Sequence, residues 1–309
     1  MIDTIHFSLP YVRGEEEVLL SSFEYTKTTK KDGIFWYTLT IGNLRVYISI
    51  SQITVQGSLC KFFLGNNLQS LTYNTIPLAI EKLSDTLHLK MDDAKVTRID
   101  IGANLSMSSP ANSYFLILGE YPRFCRLLVS DSSLRYESKH KKQSHSLAFY
   151  DKMEEMGKGE GYILRYEDRW MKNLQKQLHY PEITGKSLYD EDFYKNTIFQ
   201  WKGDYEKISK VGDNRLLSLN GQSFTASKAK DILLCSALSY MPIEERIKIE
   251  TIIKPHLANG QNWYRFKKSV QSIEAKYSLE STSALEHELN EAITRRVQQE
   301  IDTISSQFL

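Results

Sequence analysis

Cysteine is scarce: Cys60, Cys125 and Cys235 are the only three in 309 residues, and they lie far apart. That spacing builds neither a disulfide framework nor a zinc site, so a reducing cytoplasm is the expected setting. Net charge is nearly absent too. With 39 Lys and Arg against 38 Asp and Glu the balance is +1, so any surface that binds anions has to be local. No apolar run is long enough to cross a bilayer. The opening MIDTIHFSLP lacks the basic start and apolar stretch of a secretory signal, and none is expected. A Gly-x-x-x-x-Gly-Lys loop is missing, which gives no indication of ATP use. The seven histidines never fall within two residues of one another, so the His-x-His metal pair is excluded.

What is present divides the chain in two. Up to about residue 170 the apolar residues alternate as in strands: 3–9, 34–50 with a Gly42-Asn43 hairpin turn, 95–105, 123–129, 134–138, 146–152 and 162–170. SLCKFFLGNN, 58–67, reads as a short strand closing on a Gly-Asn turn, a structural turn rather than a phosphate cradle. Across 68–89, Leu71, Ile76, Ile80, Leu83 and Leu87 recur at helical spacing, with Pro77 as a kink or break. Beyond residue 171 the pattern turns helical, ending in the mixed-charge stretch 283–305. The expected fold is α+β: a mainly antiparallel sheet domain with packed helices over 1–180, then a mostly helical region over 181–309.

Strand alternation sorts the ionisable residues by face. Arg98 and Asp100 share a face with Val96 and Gly102, away from Ile99 and Ile101. Ala148, Tyr150 and Lys152 lie opposite Leu147 and Phe149; Arg165, Glu167 and Arg169 lie opposite Leu164, Tyr166 and Asp168. In one sheet with compatible register, Asp100, Glu167, Tyr150 and Lys152 meet on one surface. The plain reading is a solvated sheet face with cross-strand ion pairs, each contributing roughly 0.2–1 kcal/mol. The chemical reading is a hard-oxygen site for Mg²⁺ or Mn²⁺ on Asp100 and Glu167, beside a phenol that attacks phosphorus with Lys152 favouring the charge that builds.

At these residues the chain resembles the replication initiators of filamentous phages, the gene-two endonuclease family, and related plasmid initiators. MIDTIHFSLPYV is similar to that family's amino terminus, VTRIDIGANL to its Arg-Ile-Asp strand, LAFYDK to its nucleophile strand and LRYEDR to its Arg-aromatic-Glu strand. GSLCKFFLGNN and NWYRFKKSVQSI also have counterparts, in the same order, from residue 1 to about 275. The resemblance implies that Tyr150 becomes linked to DNA, that Asp100 and Glu167 hold the dication, that Lys152 assists, and that Arg98, Arg165 and Arg169 contact phosphate. It implies a site- and strand-specific endonuclease and ligase of rolling-circle replication, acting on double-stranded origin DNA and the displaced single strand alongside a host helicase and polymerase.

Two basic segments extend this expectation. RYESKHKKQSHS places Arg135, Lys139, Lys141 and Lys142 just before Tyr150, as a charged loop or a phosphate-contacting arm. His140 and His145 in it can approach the site or stay solvated. In NWYRFKKSV, Arg265, Lys267 and Lys268 interleave with Trp263, Tyr264 and Phe266, which suits stacking on single-stranded DNA or a helix with core aromatics and a wet flank. Two other function classes stay open: an origin-binding or copy-control protein without catalysis, and a scaffold whose 283–305 helix pairs with another chain.

Overall fold

Among the described residues, ten antiparallel strands form one sheet, in the order β2-β3-β4-β5-β1-β6-β10-β9-β8-β7. The strands are β1 (Ile2–Pro10), β2 (Tyr25–Thr29), β3 (Phe35–Ile41), β4 (Leu44–Ser49), β5 (Gln52–Ser58), β6 (Lys95–Met107), β7 (Phe124–Ser130), β8 (Ser133–Ser138), β9 (His145–Asp151) and β10 (Tyr162–Trp170). The computed structural model describes all residues except 13, 31–33, 140–143, 158–160, 211–224, 242, 258–259, 278–283 and 306–309. The helices are α1 (Glu15–Ser22), α2 (Leu59–Leu64), α3 (Ile76–Leu87), α4 (Ala111–Ile117), α5 (Lys152–Met156), α6 (Leu174–Gln177), α7 (Glu191–Glu206), α8 (Ala226–Tyr240), α9 (Ile243–Ile253), α10 (Gly260–Tyr277) and α11 (Ala284–Ser305). The fold class is α+β, with a helical carboxy-terminal region, as expected.

Two compact units make up the chain. The first comprises Met1–Asn112, Tyr121–Ile208 and Glu291–Leu309; the second comprises Ser113–Glu120 and Ser209–Asn290. The sheet lies in the first, with α7 and most of α11. In α11, Ile293, Val297 and Ile304 are buried, so the apolar stripe that suited a partner chain is already covered. In the second unit α10 packs on α8, and Trp263 stacks on Phe266 with centroids 5.6 Å apart.

Local chemistry explains where elements begin and end. The Gly42-Asn43 turn joins β3 to β4, Gly42 holding φ at 59°, where only glycine is unstrained. Residues 59–64 are helical, not extended as expected. The Ser58 side chain accepts from Lys61 N and caps α2, and Gly65 at φ 79° terminates it. Pro77 opens α3 rather than kinking it, because a first-turn position has no hydrogen bond to lose. Ile76, Ala79, Ile80, Leu83 and Leu87 of α3 are buried.

Two register shifts between β1 and β6 matter for the site. Ile2 pairs with Ile101 and Ile5 with Ile99, so one strand spends three residues where the other spends two. His6 then pairs with Arg98 and Phe7 with Val96. The second shift turns Val96 into the apolar layer, where it is 2% exposed, instead of leaving it beside Arg98 and Asp100 as strict alternation requires.

Candidate active site

Strand β10 lies between β6 and β9 and sets the site's register. Arg165, Glu167 and Arg169 stand opposite Asn104, Gly102 and Asp100 on one side. On the other side they stand opposite Tyr150, Ala148 and Ser146. The polar residues of three strands therefore share a face. Glu167 is at its centre and nearly fully buried. Its Oε1 accepts from the Tyr150 hydroxyl at 2.8 Å and from Arg165 Nε at 2.5 Å. Its Oε2 accepts from Arg169 Nε at 2.9 Å and Nη2 at 2.6 Å. Burial alone would raise its pKa, but the guanidinium groups of Arg165 and Arg169 outweigh that and hold the carboxyl at about 2.

Arg165 lies beneath the site rather than on it. Its side chain is 2% exposed, pairs with Asp3, and donates to Asn104 Oδ1 at 3.1 Å and to Asn67 O at 3.4 Å. Asp3 reaches this face because of the first register shift in β1, and it also accepts from Ser58 Oγ. Arg98 and Arg169 are the arginines of this face open to solvent, with side chains 26% and 21% exposed. Arg98 grips Asp100 through Nε to Oδ1 at 2.8 Å and Nη2 to Oδ2 at 2.6 Å. Burial lifts the Asp100 carboxyl to about 6 against the pull of Arg98. His6, next to Arg98 across the strand pair, is held down to about 4 by burial and by that guanidinium, which leaves its imidazole neutral at pH 7.

Lys152 does not continue β9. Asp151 caps α5, its Oδ1 accepting from Met153 N at 2.9 Å and Glu154 N at 3.0 Å, and Lys152 is the first helical residue. Its ammonium is nevertheless 5.8 Å from the Tyr150 ring centroid and pairs with Glu155. Burial first, and then the charge of Glu167, pushes the Tyr150 phenol far above its usual value.

A carboxylate offers about four lone-pair directions. Four donor contacts fall on Glu167, so as it stands it orients Tyr150 and the arginines and has no direction left for a dication. Asp100 takes its two bonds from Arg98 and keeps acceptor capacity.

Among the described residues one cluster does have the spacing of a metal site, and it lies on the opposite face of β10. His145, Asp168 and Asp204 each offer a ligand atom within 4.8 Å of the others. His145 begins β9, Asp168 lies in β10 and Asp204 in α7. Burial lifts the Asp168 carboxyl to about 8 despite the pull of His145. Sequence reasoning left Asp168 on the apolar side and did not reach Asp204 at all.

The basic segments are less concentrated. Lys139 is exposed, its backbone N–H bonded to Arg123 O at 3.0 Å; Lys141, Lys142 and His140 lie outside the described residues. Arg135 pairs with Glu137 at 3.4 Å. In α10, Arg265 and Lys268 are exposed, while Lys267 reaches Glu250 at 3.5 Å and lies 5.5 Å from the Trp263 ring centroid.

Against known families, residues 1–184 match the phage CRI model, described as the N-terminal part of a replication-associated protein, the gene-two product. The chain belongs to that family. The segment of this phage CRI family member that matches contains every strand of the sheet and all the residues around Tyr150. No curated protein matches the chain. Among solved structures, a rolling circle replication initiator protein from Geobacillus stearothermophilus aligns at 12% identity over 58% of this chain and 76% of its own, with a TM-score of 0.35. The di-domain ARO/CYC BexL from the BE-7585A biosynthetic pathway aligns at 7% identity over 60% and 78%, with a TM-score of 0.24. Both scores are too low to carry an argument.

Proposed function

We propose that this phage CRI family member initiates rolling-circle replication by nicking one strand of a double-stranded origin through Tyr150. The observation that carries the reading is the 2.8 Å bond from the Tyr150 hydroxyl to Glu167, within a face that also holds Arg98 and Arg169, with the buried Lys152 ammonium 5.8 Å from the Tyr150 ring centroid. In the proposed step an arriving phosphate draws Arg169 off Glu167, which frees Oε2 and raises the carboxylate's proton affinity, so that the phenolic proton passes to Glu167 while the phenolic oxygen forms a bond to phosphorus. The bond from phosphorus to the 3′ oxygen breaks, and that oxygen takes up a proton to become the free 3′ hydroxyl that primes a host polymerase behind a helicase. The 5′ phosphate stays on Tyr150, and reversal by a second 3′ hydroxyl joins the displaced strand. Arg98 and Arg169 are open enough to meet a phosphate, and an arriving phosphate competes with Glu167 for Arg169. Arg165 acts as a positioning residue that aims Glu167.

The reading carries Mg²⁺ or Mn²⁺ as cofactor, with Asp100 as its anchor because, of the two carboxylates, it is the one that retains acceptor capacity. Such an ion would neutralise charge on the scissile phosphate. Lys139, Arg265 and Lys267, with Lys141 and Lys142 beyond the described residues, would add phosphate contacts that position DNA without reading its sequence.

The deciding experiment incubates the protein with its replicon's candidate origin on a supercoiled plasmid, with Mg²⁺ or Mn²⁺, and maps any protein-linked DNA end. A 5′ phosphotyrosine at residue 150 is the expected product. The saturated state of Glu167 and the strongly protonated phenol favour a second reading, an origin binder that has lost catalysis. That protein would bind the origin and never convert supercoiled plasmid to the open circle.

Gly102 gives a sharper test of the geometry. A Cβ there would lie 2.8 Å from Glu167 Cγ, closer than packed atoms allow, and a tight 3.1 Å from Arg165 Nη2. Gly102→Ala should displace Glu167 and lower the nicking rate by roughly 10²-fold. Overpacking should cost about 1–3 kcal/mol of stability, measured by urea unfolding.

A further inference from the structure

The cluster behind the sheet has a chemistry of its own. His145 Nε2 lies 2.6 Å from Asp168 Oδ1 and 3.5 Å from Asp204 Oδ2. Asp168 is 0% and Asp204 2% exposed. Oδ2 of each carboxylate is buried and has no hydrogen-bond partner. Two carboxylates with bare oxygens in one buried place repel each other, and an unpaired buried charge is costly. A shared proton or a bound cation would offset that repulsion and give both bare oxygens a partner.

The surroundings are built to hold such a group still. Tyr121 donates its hydroxyl to Asp204 Oδ1 at 3.1 Å, and the Lys207 ammonium reaches the same oxygen at 2.6 Å, so Asp204 is oriented with Oδ2 turned to the cluster. Trp170 stacks on the His145 ring at 5.9 Å and Phe124 meets it edge-on at 5.2 Å. These contacts hold the imidazole ring and the Asp204 carboxylate in place. The three donors come from β9, β10 and α7, elements that hydrogen bonding along the sheet alone does not tie together.

We propose that His145, Asp168 and Asp204 form a binding site for a transition-metal dication, Zn²⁺ or Mn²⁺, that clamps α7 onto β9 and β10. One imidazole nitrogen and two carboxylate oxygens make an electrically neutral set around a dication. The imidazole favours a first-row transition metal over Mg²⁺ or Ca²⁺. The ion is structural: consecutive residues of a strand point to opposite faces, so Asp168 faces away from Glu167 and Tyr150. The site stands independently of the nicking reaction.

The test uses the full chain freed of metal by a chelator and dialysed. Titration with Zn²⁺, and with Co²⁺ as a coloured probe, should show one tight equivalent per chain and a raised thermal midpoint, and Mg²⁺ at the same concentration should give neither. Asp204→Asn and His145→Gln should weaken binding by about tenfold or more, whereas Tyr150→Phe and Asp100→Asn should retain the equivalent. The proposal is overturned if the folded wild-type chain binds no Zn²⁺, Co²⁺ or Mn²⁺ tightly, which would leave a shared proton between the carboxylates. Equal binding of Mg²⁺ that Asp100→Asn retains and the Asp204→Asn, His145→Gln double variant loses, or full Zn²⁺ binding by that double variant, would also overturn it. The wild-type arm decides even where a variant fails to fold.

Discussion

Tyr150→Phe should leave a supercoiled origin plasmid uncut and yield no protein-linked DNA, a loss of about 10⁴-fold or more in nicking rate for a missing nucleophile. The substitution removes one oxygen and keeps the ring that fills the end of β9. The fold loses a single hydrogen bond, the one to Glu167, whose removal costs about 1 kcal/mol. Origin binding rests on cations elsewhere, and its affinity and salt dependence in a gel-shift titration should be roughly unchanged. Loss of binding and nicking together would point to a folding defect, which circular dichroism would show. Full nicking by the variant would remove Tyr150 from the chemistry altogether.

The largest stability effect should come from Arg165→Ala. Arg165 is buried and is the shared partner of Asp3 and Glu167. Removing it leaves two buried carboxylates short of positive charge, Glu167 with Arg169 and Asp3 with the Ser58 hydroxyl. The loss should cost roughly 3–5 kcal/mol in urea unfolding at pH 7. The pH dependence identifies the cause. Glu167 ionises at about 2 in the folded chain against 4.5 for the free side chain, so its pairing stabilises fully above about pH 4.5 and is lost as pH falls through 2. Without Arg165 the folded carboxyl ionises at higher pH. The gap in stability between wild type and variant should therefore narrow as pH drops below about 4.5. A gap that stays constant with pH would assign the loss to packing of the arginine stem instead.

How much of this was legible in the sequence depends on the range of the interaction. Alternation within β6, β9 and β10 placed Asp100, Tyr150, Glu167 and the arginines by face, because a strand's two-residue period is a local property. The antiparallel register then brought them together, which alternation permits but does not dictate. Asp3 was invisible because a register shift moved it out of phase with Ile5 and Phe7. Lys152 was misplaced because Asp151 is both the last residue of β9 and the cap of α5, and the cap wins the residue that follows. Within the 58–67 segment, read as a short strand, residues 59–64 failed likewise: their bulky apolar run suits a strand, but Ser58 and Gly65 bracket a helical turn. Asp204 had no signal, since its partners are in distant segments and only the packing of α7 on the sheet introduces them.

Glu167 and Asp168 are neighbours in sequence yet answer to different neighbourhoods on the two sides of one ribbon. A one-residue deletion upstream in β10, rethreaded along the same hydrogen bonds, would turn every later residue to the other side: Asp168 into the place of Glu167, Glu167 into that of Tyr166, and Arg169 into that of Asp168. A two-residue loss would preserve the sidedness while sliding the ladder. Length variation tolerated within this ribbon should therefore come in even steps, and the turns at its ends should absorb the odd ones.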